Sequence, residues 1–106
     1  MALPELDVAR ARARCAALAA ADGRVACDVD ERSLTIVEET PAWDGGGEWT
    51  RNPVARLRYT ASRREWTLYC ISGNGGFRRY DLLDPAPSVV PLLAEIERDP
   101  TAIFWG

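Results

Sequence analysis

The chain has 106 residues, with sixteen acidic against thirteen basic side chains, a net charge of −3 and no histidine. That length points to a single domain over residues 1–106, long enough to bury about two-thirds of its unfolded surface without staples. The missing histidine removes the commonest general base and a common metal ligand, and the acidic balance works against a polyanionic partner.

Residues 4–21 read as a helix. Pro4 suits its first turn, and Glu5 and Asp7 sit near the positive end of the helix dipole. Val8, Ala11, Cys15 and Leu18 recur at three- and four-residue steps and form one narrow apolar stripe. Arg10, Arg12 and Arg14 lie off that stripe, and Asp7 can pair with Arg10 one turn on. Gly23 is placed to end the helix.

The period then changes to two. Val25, Cys27 and Val29 alternate with polar residues, and a turn follows near Glu31-Arg32. Leu34–Glu39 forms a second strand, which Pro41 stops. A loop with Trp43, Gly45, Gly46, Gly47 and Trp49 leads to a third strand at Val54–Ala61. Arg64–Ile71 is a fourth strand, and the Asn74-Gly75 pair signals a hairpin into a fifth at Phe77–Leu82.

Pro85 and Pro87 mark a linker, and Ser88 can cap a last helix with Val89, Leu92, Leu93 and Ile96 on its apolar side. Pro91 is tolerated in the first turn of that helix, Asp99-Pro100 ends it, and Ile103-Phe104-Trp105 is expected to dock on the body. The fold class is therefore α+β: an N-terminal helix, a five-stranded antiparallel meander and a C-terminal helix, with both helices on one face of the sheet.

Even-length turns at both later hairpins predict the register. Around Ser62-Arg63, Tyr59 faces Trp66, Leu57 faces Leu68 and Ala55 faces Cys70, which makes one apolar face. A type I′ turn at Asn74-Gly75 sets Tyr69 opposite Tyr80 and Ile71 opposite Arg78. The second face then carries Arg56, Arg58, Tyr69, Arg78 and Tyr80 and is left open to solvent. Together with Trp43, Trp49 and Arg51 from the loop, these are the candidate ligand-binding residues. Guanidinium groups pair with anions and rings stack on flat groups. An ordinary solvated strand face is built from the same residue types.

Charge separates along the chain. Residues 51–80 carry a balance of +6 and residues 28–48 a balance of −6, so pairing strands two and three brings Glu38 or Glu39 against Arg56 or Arg58. Single-stranded nucleic acid is an alternative partner, disfavoured by the net acidity. A small hydrolase using the loop carboxylates Asp44 and Glu48 is a second alternative. A non-enzymatic module binding a protein, peptide or anionic ligand is preferred.

Cys15, Cys27 and Cys70 form no CxxC pair and no disulfide framework, which points to a reducing cytoplasm. No cofactor or metal is expected, because the cysteines have no zinc spacing and the three loop glycines lack a following Lys-Ser/Thr. Neither an export signal nor a membrane span is legible. Strand one or strand five is a free edge through which two copies can pair.

The succession PAW…EWTRNPVARLRY, REWTLY, FRRYDLL and LLAEIERDPTAIFWG resembles the bacterial domain of unknown function (DUF) 3024 family over about residues 24–106. The resemblance rests on Trp43 after proline, Pro53-Val54-Ala55, Arg58-Tyr59, Trp66 with Leu68-Tyr69, Arg79-Tyr80 and Phe104-Trp105-Gly106. It implies a small stand-alone bacterial protein. It implies no activity, so no functional residue is carried over from it.

Overall fold

The computed structural model describes residues 3–18, 23–41 and 47–105. In chain order they form α1 (Glu5–Ala17), β1 (Arg24–Val29), β2 (Ser33–Thr40), β3 (Thr50–Thr60), β4 (Glu65–Ile71), β5 (Phe77–Arg79) and α2 (Val90–Arg98). The strands make one antiparallel sheet in the order β1-β2-β3-β4-β5, so the architecture is the expected α+β meander between two helices.

Both helices cover the same side of the sheet. Ala11 and Cys15 of α1 and Leu92, Leu93 and Ile96 of α2 pack onto Leu34, Ile36, Leu57, Trp66, Leu68 and Cys70. Burying each of the larger apolar side chains contributes about 1.5–3 kcal/mol. Pro4 is the N-cap of α1 rather than part of its first turn, and Leu18 closes the helix on the carbonyls of Arg14 and Cys15. Residues 19–21 of the expected helix lie outside the described residues.

The β3–β4 hairpin has the expected register, with Tyr59 opposite Trp66, Leu57 opposite Leu68 and Ala55 opposite Cys70. Its loop, residues 61–64, has an even length, so the alternation passes through it unchanged.

The next hairpin differs from expectation. Ser72 N–H donates to Gly76 O at 2.7 Å and Gly75 N–H to Ser72 O at 3.0 Å, so three residues form the loop. Only Gly75 takes a positive φ there, 88°. This is a turn plus a left-handed glycine, not a type I′ turn, which needs two left-handed residues. An odd loop shifts the pairing by one, to Tyr69 opposite Arg79 and Ile71 opposite Phe77. The β5 strand accordingly ends at Arg79 rather than Leu82.

A bulge interrupts β2–β3. Ile36 pairs with Ala55 and Val37 with Pro53, leaving Val54 as the extra residue. The bulge suits Pro53, which has no N–H to give the ladder. It also turns the first half of β3 over, so that Arg51 faces the open side with Glu39.

The C-terminus docks as expected. Asp99 ends α2 with φ 44°, its carboxylate accepts from the N–H groups of Phe104 and Trp105, and Trp105 Nε1 donates to Ile96 O at 2.9 Å. No helix among the described residues is long and apolar enough to cross a membrane.

Candidate functional site

The open face of the sheet divides into two charged regions. At the end nearest the start of β3, Arg51 bridges two acids. Its Nη2 lies 2.9 Å from Asp28 Oδ1, and its Nε donates to Glu39 Oε2 at 2.8 Å. Arg24 Nε donates to the other oxygen of Glu39 at 2.8 Å, and its guanidinium lies 4.3 Å from the centre of the Trp49 ring. Hydrogen bonds from Arg24 and then Arg51 hold the Glu39 carboxyl below the ordinary glutamate range. The hydrogen bonds that Arg51 donates to Asp28 and then to Glu39 hold it charged more firmly still. This region is a neutralised series of alternating charge that runs from Arg24 through Glu39 and Arg51 to Asp28.

The other region differs. Arg56 Nε donates to Thr35 Oγ1 at 3.3 Å, and its guanidinium stacks 4.2 Å from the centre of the Phe77 ring. Arg58 stands exposed one pleat further along β3. Among the described residues, neither arginine forms an ion pair with a carboxylate. Two adjoining hollows of about 420 and 370 Å³ open here, and both are lined by Glu31, Arg32, Arg58 and Tyr69. Arg56 and Phe77 close one end. Thr60 and Ala61 close the other.

Local structure explains the convergence. The β1–β2 turn is held by Asp30 N–H on Ser33 O at 2.9 Å. Tyr59 N–H donates to Arg32 O at 2.8 Å, which carries the β2–β3 ladder into that turn and brings Arg32 beside Arg58. Arg56 faces Tyr69, and Arg58 faces Thr67, across β3–β4. The result is a shallow groove with three guanidinium groups, two half-buried aromatic rings and a rim carrying Asp30 and Glu31.

The sequence-derived residues therefore separate. Arg56, Arg58 and Tyr69 come together in the groove. Arg51 and Trp49 belong to the neutralised network; Trp49 is 42% exposed with Arg24 on its ring. Trp43 and Asp44 lie outside the described residues.

Two placements are corrected. Tyr80 is only 3% exposed on the opposite side of the sheet, where its hydroxyl donates to Glu95 Oε2 at 2.7 Å and its ring packs on Phe104. Arg78 pairs with Cys70, whose side chain lies in the core, and so does not project onto the open face. The one-residue register shift moves both and puts Phe77 and Arg79 in their stead. Glu39 is neutralised by Arg24 and Arg51, not by Arg56 or Arg58, because the register sets Arg51 opposite Glu39 and places Arg56 and Arg58 opposite Thr35 and Ser33.

Arg32, Phe77 and Arg79 escaped the sequence reading. The signal for Phe77 and Arg79 was present in the glycine-rich hairpin segment, since Ser72-Gly73-Asn74-Gly75-Gly76 suits a three-residue loop as well as a two-residue one. Arg32 gave no periodic signal, because it sits in a turn.

The family model described as Domain of unknown function (DUF3024) matches residues 3–106, which extends the resemblance upstream through α1. No curated protein and no solved structure matches the chain.

Proposed function

The chain belongs to the DUF3024 family, and from that premise we propose that it is a non-enzymatic binding module whose open sheet face takes an anionic partner. The groove of Arg32, Arg56, Arg58, Tyr69 and Phe77 is the docking surface in this reading. One observation carries it: Arg56 and Arg58 are without acidic partners among the described residues, while Arg24 and Arg51 on the same face pair with Glu39 and Asp28. Guanidinium groups recognise carboxylate or phosphate by paired hydrogen bonds, and the rings of Tyr69 and Phe77 supply flat apolar contact.

The partner is a protein or peptide segment presenting carboxylates beside a flat side chain. Asp30 and Glu31 on the rim oppose a long polyanion, which weighs against single-stranded nucleic acid. The hydrolase reading has no support from Glu48, which is exposed in the loop before β3. Three unpaired cysteines favour a reducing, cytoplasmic setting.

Calorimetric titration with an acidic, aromatic-containing peptide and with a single-stranded oligonucleotide tests this reading. The peptide is expected to bind, with affinity falling about tenfold or more on Arg58→Ala. Tighter binding of the oligonucleotide, weakening steeply with salt, would move the assignment to nucleic acid. Binding of neither, or peptide binding unchanged by Arg56→Ala and Arg58→Ala, would remove the groove from the account.

A further inference from the structure

The two edges of the sheet are not alike. Beyond β4, the short β5 is continued by Tyr80, whose N–H donates to Leu68 O at 2.9 Å. Further along, Trp66 and Ala86 exchange hydrogen bonds of 2.7 and 2.9 Å. Arg78, Arg79, Pro85 and Pro87 along this side discourage another strand from pairing.

The β1 edge carries no further strand among the described residues. Tyr59 N–H on Arg32 O fixes Leu34 and Ile36 as the β2 residues whose backbone groups aim at β3. Asp30 N–H on Ser33 O correspondingly aims Arg24, Ala26 and Asp28 at β2. The N–H and C=O groups of Val25, Cys27 and Val29 therefore point outward, and no backbone group among the described residues meets them.

The side chains along this edge are self-complementary. Arg24, Ala26 and Asp28 project to the open face, and Arg24 and Asp28, the two ends of the series Arg24–Glu39–Arg51–Asp28, lie symmetrically about a small central residue. We propose that β1 is the seam of a homodimer, pairing antiparallel with β1 of a second copy about a two-fold axis at Ala26. Val25 then exchanges backbone hydrogen bonds with Cys27 of the partner subunit. Arg24 lies opposite Asp28 of the partner subunit, and the symmetry repeats that ion pair. Ala26 meets its own counterpart at the close, non-hydrogen-bonded position, where a small side chain fits. Moving the axis to Cys27 sets Asp28 against an alanine, and moving it to Val25 sets Arg24 against one. Only the axis at Ala26 pairs both charges. The two open faces then lie on the same side of one continuous sheet. This proposal stands independently of what the groove binds.

Sedimentation of the full chain across a dilution series, with amide hydrogen exchange at both ends of the series, tests the seam. A reversible dimer is expected, with Val25 and Cys27 amides protected when concentrated and exchanging freely when dilute. Arg24→Asp and Asp28→Arg each place like charges twice across the axis and are expected to weaken self-association about tenfold. Mixed in equal amounts, the two variants face each other with opposite charges and are expected to recover wild-type affinity as a heterodimer. A monomer at every concentration overturns the proposal. So does a dimer whose Val25 and Cys27 amides stay unprotected, or one insensitive to both charge reversals.

Discussion

The indole Nε1 of Trp66 donates to Oδ2 of Asp7 at 3.0 Å, in a contact that is buried on both sides and joins residues 59 positions apart. The other oxygen of Asp7 accepts the backbone N–H of Val89 at 3.2 Å. One carboxylate at the start of α1 thus satisfies a donor from the middle of the sheet and another at the entrance to α2.

Asp7→Ala leaves both donors buried without an acceptor, and the cost is expected to be about 2–4 kcal/mol in urea unfolding. Asp7→Asn keeps one acceptor and is expected to lose less. Arg10→Ala removes only a long contact of 3.8 Å from an exposed guanidinium to Asp7 and serves as the control, with a change within about 0.5 kcal/mol. Equal losses for Asp7→Ala and Arg10→Ala would show that the buried contacts contribute nothing.

Tyr80 gives the fold an alkaline limit. Burial, followed by its hydrogen bond to Glu95, pushes the hydroxyl up to about 12 from an ordinary value of 10.0. The folded state therefore holds its proton through a range in which the unfolded chain has released it. Stability is intact below pH 10 and declines toward pH 12, by up to about tenfold in the folding constant per pH unit. Tyr80→Phe is expected to flatten this decline in denaturant unfolding measured at successive pH values, while starting from a lower plateau because Glu95 loses its donor.

Glu39 acts in the opposite direction. Its folded-state pKa is depressed, first by Arg24 and then by Arg51, so its contribution is complete above the ordinary value of 4.5 and fades as pH falls through the folded value. Acid unfolding monitored by tryptophan fluorescence is expected to show a shallower pH dependence just below 4.5, between the ordinary and the folded value, for Glu39→Gln than for the native chain.

The hairpin glycines separate backbone from packing effects. Neither Gly73 nor Gly75 has a neighbour within 4 Å of the position of an added Cβ, yet only Gly75 has a positive φ, 88°. Gly75→Ala is expected to cost about 1 kcal/mol and Gly73→Ala to be neutral or slightly stabilising, as read from thermal melts. The same result would place a left-handed backbone position of the loop at Gly75.

Periodicity carried the fold a long way. The apolar alternation of Tyr59, Leu57 and Ala55 with Trp66, Leu68 and Cys70 permits one register, because a slip would bury Arg56 and Arg58. The β4–β5 pairing had no such protection, since Phe77, Arg78, Arg79 and Tyr80 alternate poorly and the loop chemistry suits two lengths. The bulge at Val54 was hidden for a related reason. It leaves a locally sensible sequence on both sides and changes only which face Arg51 occupies. Asp7 read as a helix-dipole charge able to pair with Arg10, because nothing local to it reveals that Trp66 and Val89 converge there.

The division of the open face into a neutralised end and an unpaired groove is the claim on which the functional reading depends. Side-chain Nε–H resonances of the arginines, followed by NMR during titration with the acidic, aromatic-containing peptide, test it most directly. Arg56 and Arg58 are expected to shift with the added peptide while Arg24 and Arg51, held by Glu39 and Asp28, stay in place. Shifts confined to Arg24 and Arg51, or no shift at Arg56 and Arg58 when the peptide saturates the chain, would contradict it.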